Sequence, residues 1–377
     1  MSTTVKRLEV SYNPINQNDT FTSGDVVSGH VTLEVVKECE IESLSVKFKG
    51  KSEVLWSERH GQTTVVYHSK DKYFSIKHYF IQDKQQKVNN EETLLLSQNS
   101  QTYSNVVPPG CHVYPFTFQV PLKEMPSSFK GFAGKIVYLL EAKLSRSMRL
   151  NKKSSTKLNF VCKTNPTSVP ELMAPQHESK DKKMKFFNSG TVAMDVNLEK
   201  TGFCQGEGLR VTAHINNSST RDIKPKYCIY RKHSFFACEK RKVDTRDLLK
   251  EVGDPIPPST STNVTRVITI PPDMEPSIRN CSNIMVEHRL RVYLDVKYAS
   301  DPEIKFPIVI LQASEASAVA LPSAAAGLGF EPFGTPHPQP FGLEPQQPPA
   351  ASQFSDAPPP YASYGMYPSV NDLGSKS

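Results

Sequence analysis

The chain has 377 residues, 37% of them hydrophobic and 22% charged, which is the composition of a soluble globular protein with room for two ordinary domains and a tail. Its 45 Lys and Arg exceed its 38 Asp and Glu, and this excess lies before residue 313, because residues 313–377 hold one Lys against five carboxylates, a net charge of −4. No apolar run is long enough to span a membrane, and the first residues lack the apolar core of a signal peptide, so we expect a cytoplasmic chain with reduced cysteines.

Apolar and polar residues alternate in many short segments along the first 312 residues. Such segments recur in chain order at residues 31–35, 44–48, 116–120, 138–144, 192–198, 209–215 and 292–298. This alternation is typical of strands in antiparallel sheets with one solvent-facing side. Pro and Gly separate the segments, and no long helical periodicity competes with them, so the sequence predicts an all-β fold built from sandwiches.

An internal repeat divides this all-β region into two copies. Residues 21–33 (FTSGDVVSGHVTL) resemble residues 203–215 (FCQGEGLRVTAHI), because each has an aromatic residue, two others, Gly, an acid and then an alternating strand. Residues 113–121 resemble residues 264–272, and a Pro-Ser pair and a further strand follow in each copy. Three elements in the same order predict two tandem copies of one sandwich.

Composition marks the boundaries between these copies and the tail. We predict a first sandwich at residues 1–163, an inter-domain linker at 164–185 and a second sandwich at 186–312, because residues 164–185 combine three prolines with a charged run. Residues 313–377 contain 12 of the 30 prolines and few aliphatic side chains. Such a segment buries too little apolar surface to offset its ordering entropy, so we predict a disordered proline-rich tail.

A family resemblance rests on these motifs in combination. The first half carries residues 21–33, Phe48-Lys49-Gly50 with Trp56, residues 110–116 (GCHVYPF) and residues 126–131 (PSSFKG). The second half carries residues 202–207 (GFCQGE), Ile270-Pro271-Pro272, Pro276-Ser277, Cys281 and residues 306–310 (FPIVI). These motifs resemble the arrestin N-terminal and C-terminal domains, and together with the proline-rich tail and its PPxY motif they make the chain similar to the α-arrestins.

The resemblance implies two tandem immunoglobulin-like (arrestin) β-sandwiches and an adaptor that is not an enzyme. Such adaptors recruit WW-domain HECT-type E3 ubiquitin ligases to membrane cargo such as receptors or transporters, which promotes ubiquitination, endocytosis and lysosomal or endosomal sorting. It also implies a cytoplasmic location, peripheral at the plasma membrane and endosomes. Close relatives usually carry two PPxY motifs. Here Pro348-Pro349-Ala350 is followed by Ala351 where the motif needs a tyrosine. The resemblance therefore does not imply the gain in affinity that binding one ligase at two sites would give.

The sharpest local motif is Pro358-Pro359-Pro360-Tyr361. Proline fixes φ near −65°, so this stretch populates a polyproline II helix before it binds. WW domains recognise such a helix in an aromatic-lined groove, and Tyr361 would fill a second pocket there. The alternative is a chance cluster in a proline-biased tail. Following a tandem arrestin fold, the motif favours a WW-domain ligand.

A second tail motif, Tyr367-Pro368-Ser369-Val370, has the Tyr-x-x-apolar spacing of a sorting motif for clathrin adaptors. Four-residue patterns of this kind arise often by chance in a biased tail. We therefore regard Tyr367 and Val370 as the weaker hypothesis.

Basic residues recur on the predicted sandwiches. Lys47, Lys49 and Lys51 alternate with apolar residues, so their ammonium groups share one face of a strand, where they could contact acidic lipid or phosphate. The alternative is a solvent-facing strand whose lysines serve solubility. Two further basic sets occur at Arg146, Arg149, Lys152 and Lys153, and at Lys240, Arg241 and Lys242.

No catalytic, metal-binding or cofactor-binding pattern appears in the sequence, and we expect no cofactor and no nucleic-acid partner. The phosphate-binding loop, the H-E-x-x-H and G-x-S-x-G motifs and paired cysteine ligands are all missing. Two alternative functions stay open beside the ligase adaptor. One is a coat-like trafficking subunit that acts through its sandwiches, and the other is a thiol-dependent redox regulator that binds thioredoxin.

Overall fold

The computed structural model describes residues 4–82, 93–94, 103–164, 166–183, 190–296 and 300–313. The first sandwich contains β1 (Val5–Tyr12), β2 (Thr20–Phe21), β3 (Val26–Val35), β4 (Cys39–Glu40), β5 (Ser43–His60), β6 (Thr63–Gln82), β7 (Thr93–Leu94), β8 (Val106–Val107), β9 (Gly110–Gln119), β10 (Phe129–Lys130), β11 (Gly134–Ser145) and β12 (Lys152–Phe160). A 3₁₀ turn (Pro166–Ser168) and a short helix α1 (Pro170–Met173) follow. The second sandwich contains β13 (Gln176–Lys183), β14 (Thr191–Leu198), β15 (Gly202–Cys204), β16 (Gly208–Asn217), β17 (Lys224–Ala237), β18 (Lys240–Val252), β19 (Thr260–Thr269), β20 (Ile284–Asp295) and β21 (Glu303–Leu311).

Each sandwich is made of two sheets around an apolar core, which confirms the predicted all-β class. In the first, a sheet of order β1-β3-β9 lies over a sheet of order β2-β12-β11-β5-β6-β7, with β10 paired to β11 and a small β4-β8 pair beside them. In the second, the sheets have the orders β13-β14-β16-β19 and β15-β21-β20-β17-β18. The alternation seen in the sequence becomes burial: every second residue of β11 and of β20 is buried.

The internal repeat appears as the same plan in both sandwiches. β2 pairs in parallel with β12 and β15 pairs in parallel with β21, so the short strand that opens each repeat adds to the last strand of its own sandwich. Phe21 and Phe203 are both buried at these positions. Gly24 (φ +88°) and Gly206 (φ +82°) each turn the chain in the left-handed region that glycine adopts without steric cost.

The acid after that glycine closes the turn. Asp25 Oδ2 accepts a hydrogen bond of 2.7 Å from the backbone N–H of Thr22, and Glu207 Oε2 accepts one of 2.8 Å from the backbone N–H of Cys204. A carboxylate that accepts from a backbone amide forms one of the stronger hydrogen bonds in proteins. The acid thereby holds the chain where it enters the next strand.

We expect Asp25→Ala to lower the free energy of unfolding by about 1–2 kcal/mol, because the amide of Thr22 loses a charged acceptor. The hydroxyl of Thr22 loses the same partner, at 3.1 Å from Asp25 Oδ2. Urea unfolding measures this change. Asp25→Asn keeps an acceptor oxygen and should lose less, so equal losses in both variants would contradict the assigned role.

Residues 164–185, predicted as a linker, include α1 and the whole of β13. β13 pairs antiparallel with β14 over all eight of its residues, from Gln176 opposite Leu198 to Lys183 opposite Thr191. Its sequence lacks alternation because it is an edge strand that is exposed on both faces and is held by backbone hydrogen bonds. Charged side chains, lysines above all, protect such an edge from pairing with another chain.

The two sandwiches meet through a shared apolar contact. Phe235 of β17 is fully buried within the apolar cluster of the first sandwich, and its ring lies 4.9 Å from that of Phe132 and 6.3 Å from that of Phe129. Gly131 and Gly134 make room for it, because a Cβ at either position would lie 2.7 or 2.8 Å from the Phe235 ring. The second sandwich therefore completes the core of the first.

Candidate partner-binding surfaces

The two tail motifs predicted from the sequence lie outside the described residues. They comprise Pro358, Pro359, Pro360 and Tyr361 of the PPxY motif, and Tyr367 and Val370 of the sorting motif. Their roles stay predictions. The surfaces that the structure describes belong to the two sandwiches.

Lys47, Lys49 and Lys51 lie on the outer face of β5, as the alternation predicted, with half-buried side chains. Lys49 Nζ lies 3.1 Å from Glu141 Oε2, and Lys51 Nζ lies 2.8 Å from Glu53 Oε2. The hydrogen bond from Lys51 lowers the pKa of Glu53 to about 2. Because these two ammonium groups face carboxylates, they offer less net charge to an anion than the sequence suggested, and their contact with lipid or phosphate stays a prediction.

The basic set near residue 150 surrounds the turn between β11 and β12. Lys143 stands directly opposite Lys153 in the strand pair. A depression of about 580 Å³ beside the turn is lined by Lys77, Lys143, Arg146 and Arg149, and also by the exposed Glu42. None of the ion pairs formed by the described residues includes Lys143, Arg146, Arg149 or Lys153. Four cationic side chains therefore gather around this turn, with Glu42 as the one carboxylate that lines the depression.

The third basic set has a structural role. Lys242 Nζ lies 3.2 Å from Glu58 Oε1 of the first sandwich, and Arg241 Nη2 lies 3.6 Å from Glu287 Oε2 and donates a hydrogen bond of 2.7 Å to Ser234 Oγ. Glu58 has a lowered pKa, chiefly because it accepts this hydrogen bond from Lys242. Lys242 therefore helps to join the sandwiches, whereas Arg241 is held within the second one, and both have less charge to offer a partner.

The thiols with a resolved pKa shift are not activated. Burial raises the pKa of Cys162, Cys204 and Cys228, which disfavours the thiolate that redox chemistry requires. Cys162 borders a cavity of about 350 Å³ at the junction of the sandwiches, together with Glu124, Arg279 and other residues. Within the part of the chain that the structure describes, no three His, Cys, Asp or Glu side chains gather as a metal site would require.

A buried polar cluster, which the sequence pattern did not reveal, lies around His233 of β17. His233 of β17 is only 4% exposed, and its Nε2 lies 2.7 Å from Glu275 Oε2. Arg231 Nη1 donates a hydrogen bond of 3.0 Å to the same carboxylate oxygen. The ring of Phe129 from the first sandwich packs edge-on against His233 at 5.2 Å. Arg231 and His233 lie two residues apart on β17 and so share a face, which could have indicated such a cluster, but the partner carboxylate is 42 residues away from His233.

His288 lies close to this cluster and is more deeply buried. Its Nδ1 lies 3.0 Å from Ser277 Oγ, whereas its buried Nε2 has no hydrogen-bond partner among the described residues. Burial lowers the pKa of His288 to about 4, and the positive charge of Arg231 contributes in the same direction. The imidazole is therefore neutral at physiological pH.

Comparison with known families matches both sandwiches. Residues 8–165 match the family model described as arrestin (or S-antigen), N-terminal domain, and residues 188–314 match the corresponding C-terminal domain. The chain belongs to the arrestin family. The two matches together span most of the two sandwiches of this arrestin, with the PPxY-bearing tail beyond them.

Individual relatives place this arrestin more narrowly. Arrestin domain-containing protein 4 from Mus musculus is 28% identical over 293 residues, which cover 77% of this chain and 68% of that protein. The protein of that name from Homo sapiens gives the same identity and coverage. Thioredoxin-interacting protein from Homo sapiens is 27% identical over 312 residues, which cover 81% of this chain and 74% of that protein. These relatives confirm the predicted α-arrestin resemblance.

Because it belongs to the arrestin family, the chain is an adaptor-like protein. Arrestin-family proteins bind cargo and partner proteins and carry out trafficking roles of the adaptor type. Across the described residues, no helix is both long and apolar enough to cross a membrane. Because arrestin-family proteins bind cargo and partner proteins, the surfaces described above are candidates for such binding.

Proposed function

We propose that this arrestin is an adaptor that recruits WW-domain HECT-type E3 ubiquitin ligases to membrane cargo such as receptors or transporters. The tail motif Pro358–Tyr361 binds the ligase, and the sandwiches bind the cargo. Ubiquitination of the cargo then promotes endocytosis and lysosomal or endosomal sorting. The protein acts from the cytoplasm, peripherally at the plasma membrane and endosomes.

The observation that carries this proposal is a PPxY motif in the same chain as two arrestin sandwiches. Arrestin sandwiches supply a frame for cargo, and a PPxY peptide is a preformed ligand for WW domains because its prolines restrict the unbound chain. Either feature alone allows many functions. Together they favour an adaptor that joins a ligase to a third protein.

The length of the tail suits this task. Residues 314–357 separate the second sandwich from the motif, and their composition predicts a coil. A coil of that length has an end-to-end distance of roughly 33–40 Å, from 5–6 Å times the square root of the residue number. A ligase bound at Tyr361 would therefore reach lysines on cargo or on the sandwiches themselves.

Tyr361→Ala is expected to weaken binding of an isolated WW domain from a HECT-type ligase by at least about tenfold, because the second pocket of the WW groove loses its aromatic ring. Titration of the full-length chain with the purified WW domain measures this directly. In cells, the same variant should no longer promote ubiquitination of cargo that depends on this adaptor.

Tyr364→Ala is the matched control, because Tyr364 lies three residues further along the same tail and does not follow a Pro-Pro-x sequence. We expect it to bind the WW domain like the unaltered chain. Equal affinity of the Tyr361→Ala variant and the unaltered chain would contradict the proposal. Loss of binding in both variants would also contradict it, because recognition would then follow tail composition and not the motif.

A further inference from the structure

The turn between β11 and β12 exposes two large apolar side chains. Met148 and Leu150 have relative exposures of 101% and 94%, the highest among the large hydrophobic residues that the structure describes. Met148 has a φ of +53°, a left-handed conformation that glycine or asparagine adopts more readily than methionine. Neither side chain contributes to a core, so packing within the sandwich does not account for their presence.

Cationic side chains surround this apolar tip on several sides. Arg146 and Arg149 flank Met148 in the turn itself. Lys143 and Lys153 stand opposite each other where the two strands lead into the turn. Like charges in direct opposition destabilise a strand pair. None of the four forms an ion pair with the described residues, and the one acidic residue that lines the adjacent depression is Glu42. Four cationic side chains therefore surround the tip against one neighbouring carboxylate, which leaves an excess of positive charge there.

We propose that the turn at residues 146–150 is a membrane-docking tip, which inserts Met148 and Leu150 at the boundary between headgroups and acyl chains of an anionic bilayer. Arg146, Arg149, Lys143 and Lys153 then contact lipid phosphates and carboxylates. Interfacial membrane binding depends on this pairing of apolar insertion with attraction to anionic lipid. The inference rests on the proposed adaptor function for the membrane location, and it names the surface responsible.

A bilayer explains the tip better than a phosphorylated peptide does. Phosphate recognition alone uses the arginines and lysines, and it leaves two fully exposed apolar side chains in water. Insertion into a bilayer buries both of these side chains, which are the most exposed large hydrophobic residues that the structure describes. Lys49 and Lys51, the earlier lipid candidates, are ion-paired on the outer face of the sheet. The tip thus combines free charge with insertable apolar surface.

Vesicle binding by the full-length chain tests the proposal. The unaltered chain is expected to bind vesicles of phosphatidylcholine with phosphatidylserine, to bind less as salt rises, and to bind phosphatidylcholine alone far more weakly. The Met148→Ser/Leu150→Ser double variant and the Arg146→Gln/Arg149→Gln double variant should each weaken binding by about tenfold or more. All four side chains lie in a surface turn, so thermal melting should be unchanged.

Two control variants separate the tip from general surface properties. Val113→Ser/Leu122→Ser removes exposed apolar side chains elsewhere on the first sandwich, and Lys180→Gln/Lys183→Gln removes two exposed charges from β13. Both are expected to bind vesicles like the unaltered chain. Weakening by the controls as strong as by the tip variants would overturn the proposal.

Insertion itself is measured with Leu150→Trp. The natural Trp56 is 8% exposed, so a new tryptophan at the tip dominates any change in emission. A shift to shorter wavelength on adding phosphatidylserine vesicles supports insertion, and no shift overturns it. A result in which only the arginine variant loses vesicle binding also overturns insertion, as does binding of a phosphopeptide without binding of vesicles. Tyr361→Ala should leave vesicle binding intact, so failure of the ligase proposal stays distinguishable from failure here.

Discussion

Replacing Phe235 by alanine is expected to lower the free energy of unfolding by about 3–5 kcal/mol, the usual cost of removing a buried aromatic ring. Phe235 is fully buried, and it sits in the core of the first sandwich although it belongs to a strand of the second. The variant should therefore weaken both sandwiches at once. The glycines that contact its ring cannot fill the space it leaves.

Fluorescence of Trp56 during urea unfolding measures the effect on the first sandwich, because Trp56 is the one tryptophan of the chain and is stacked on Tyr67 in that sandwich. Phe306→Ala is the matched control, since Phe306 is 1% exposed within the core of the second sandwich. We expect Phe235→Ala to shift the Trp56 transition to lower urea more than Phe306→Ala does. An unshifted Trp56 transition in Phe235→Ala would mean that the first sandwich is stable without it.

This shared core limits how the two sandwiches can move relative to each other. Polar contacts reinforce it: Ser282 Oγ donates a hydrogen bond of 2.9 Å to Asp71 Oδ2, and Asn283 Nδ2 donates one of 3.3 Å to Ser69 Oγ. A large apolar contact makes relative motion of two domains costly. Cargo bound to either sandwich would therefore be held in a defined orientation to the other.

Alternation in the sequence was enough to predict the strands, because burial of every second residue is a local property, and matching motifs were enough to predict the repeat. It did not predict how the copies align residue by residue. Val120 N–H bonds to Asp25 O and Ile270 N–H bonds to Glu207 O, so Val120 corresponds to Ile270. The sequence alignment of residues 113–121 with 264–272 matches Val120 with Pro271 instead. Register depends on pairing between distant strands, which alternation does not encode.

The same limit applies to the candidate sites. Lys47, Lys49 and Lys51 share a face, as predicted, but Lys49 is neutralised by Glu141, which is 92 residues away in the sequence. The basic residues near residue 150 were visible in the sequence, whereas the exposure of Met148 and Leu150 between them depends on the turn. The contact of Phe235 with the first sandwich was equally invisible, because an apolar residue does not reveal which core it joins.

The buried His288 makes stability depend on pH in a defined window. Its pKa is lowered from the usual 6.5 of histidine to about 4 in the folded chain, chiefly by burial. Between these values the unfolded chain binds a proton that the folded chain does not, so stability falls as pH decreases. The contribution is fully present above about pH 6.5, and about 3 kcal/mol of it is lost as pH falls toward 4.

Urea unfolding of the unaltered chain and of His288→Asn across this pH range measures that contribution. Asparagine retains a polar atom for Ser277 but does not titrate, so the variant should lose less stability between pH 7 and pH 4.5, whatever its stability at pH 7. His177→Asn is the control for the exchange of a histidine for asparagine, because His177 is exposed on the edge strand β13. Glu275, Arg231 and His233 act on the His288 charge and remain in both variants. If the curves for His288→Asn and the unaltered chain run parallel, protonation of His288 is not what destabilises the fold in acid. Other groups then account for the loss, among them the carboxylates and His78, whose pKa burial also lowers.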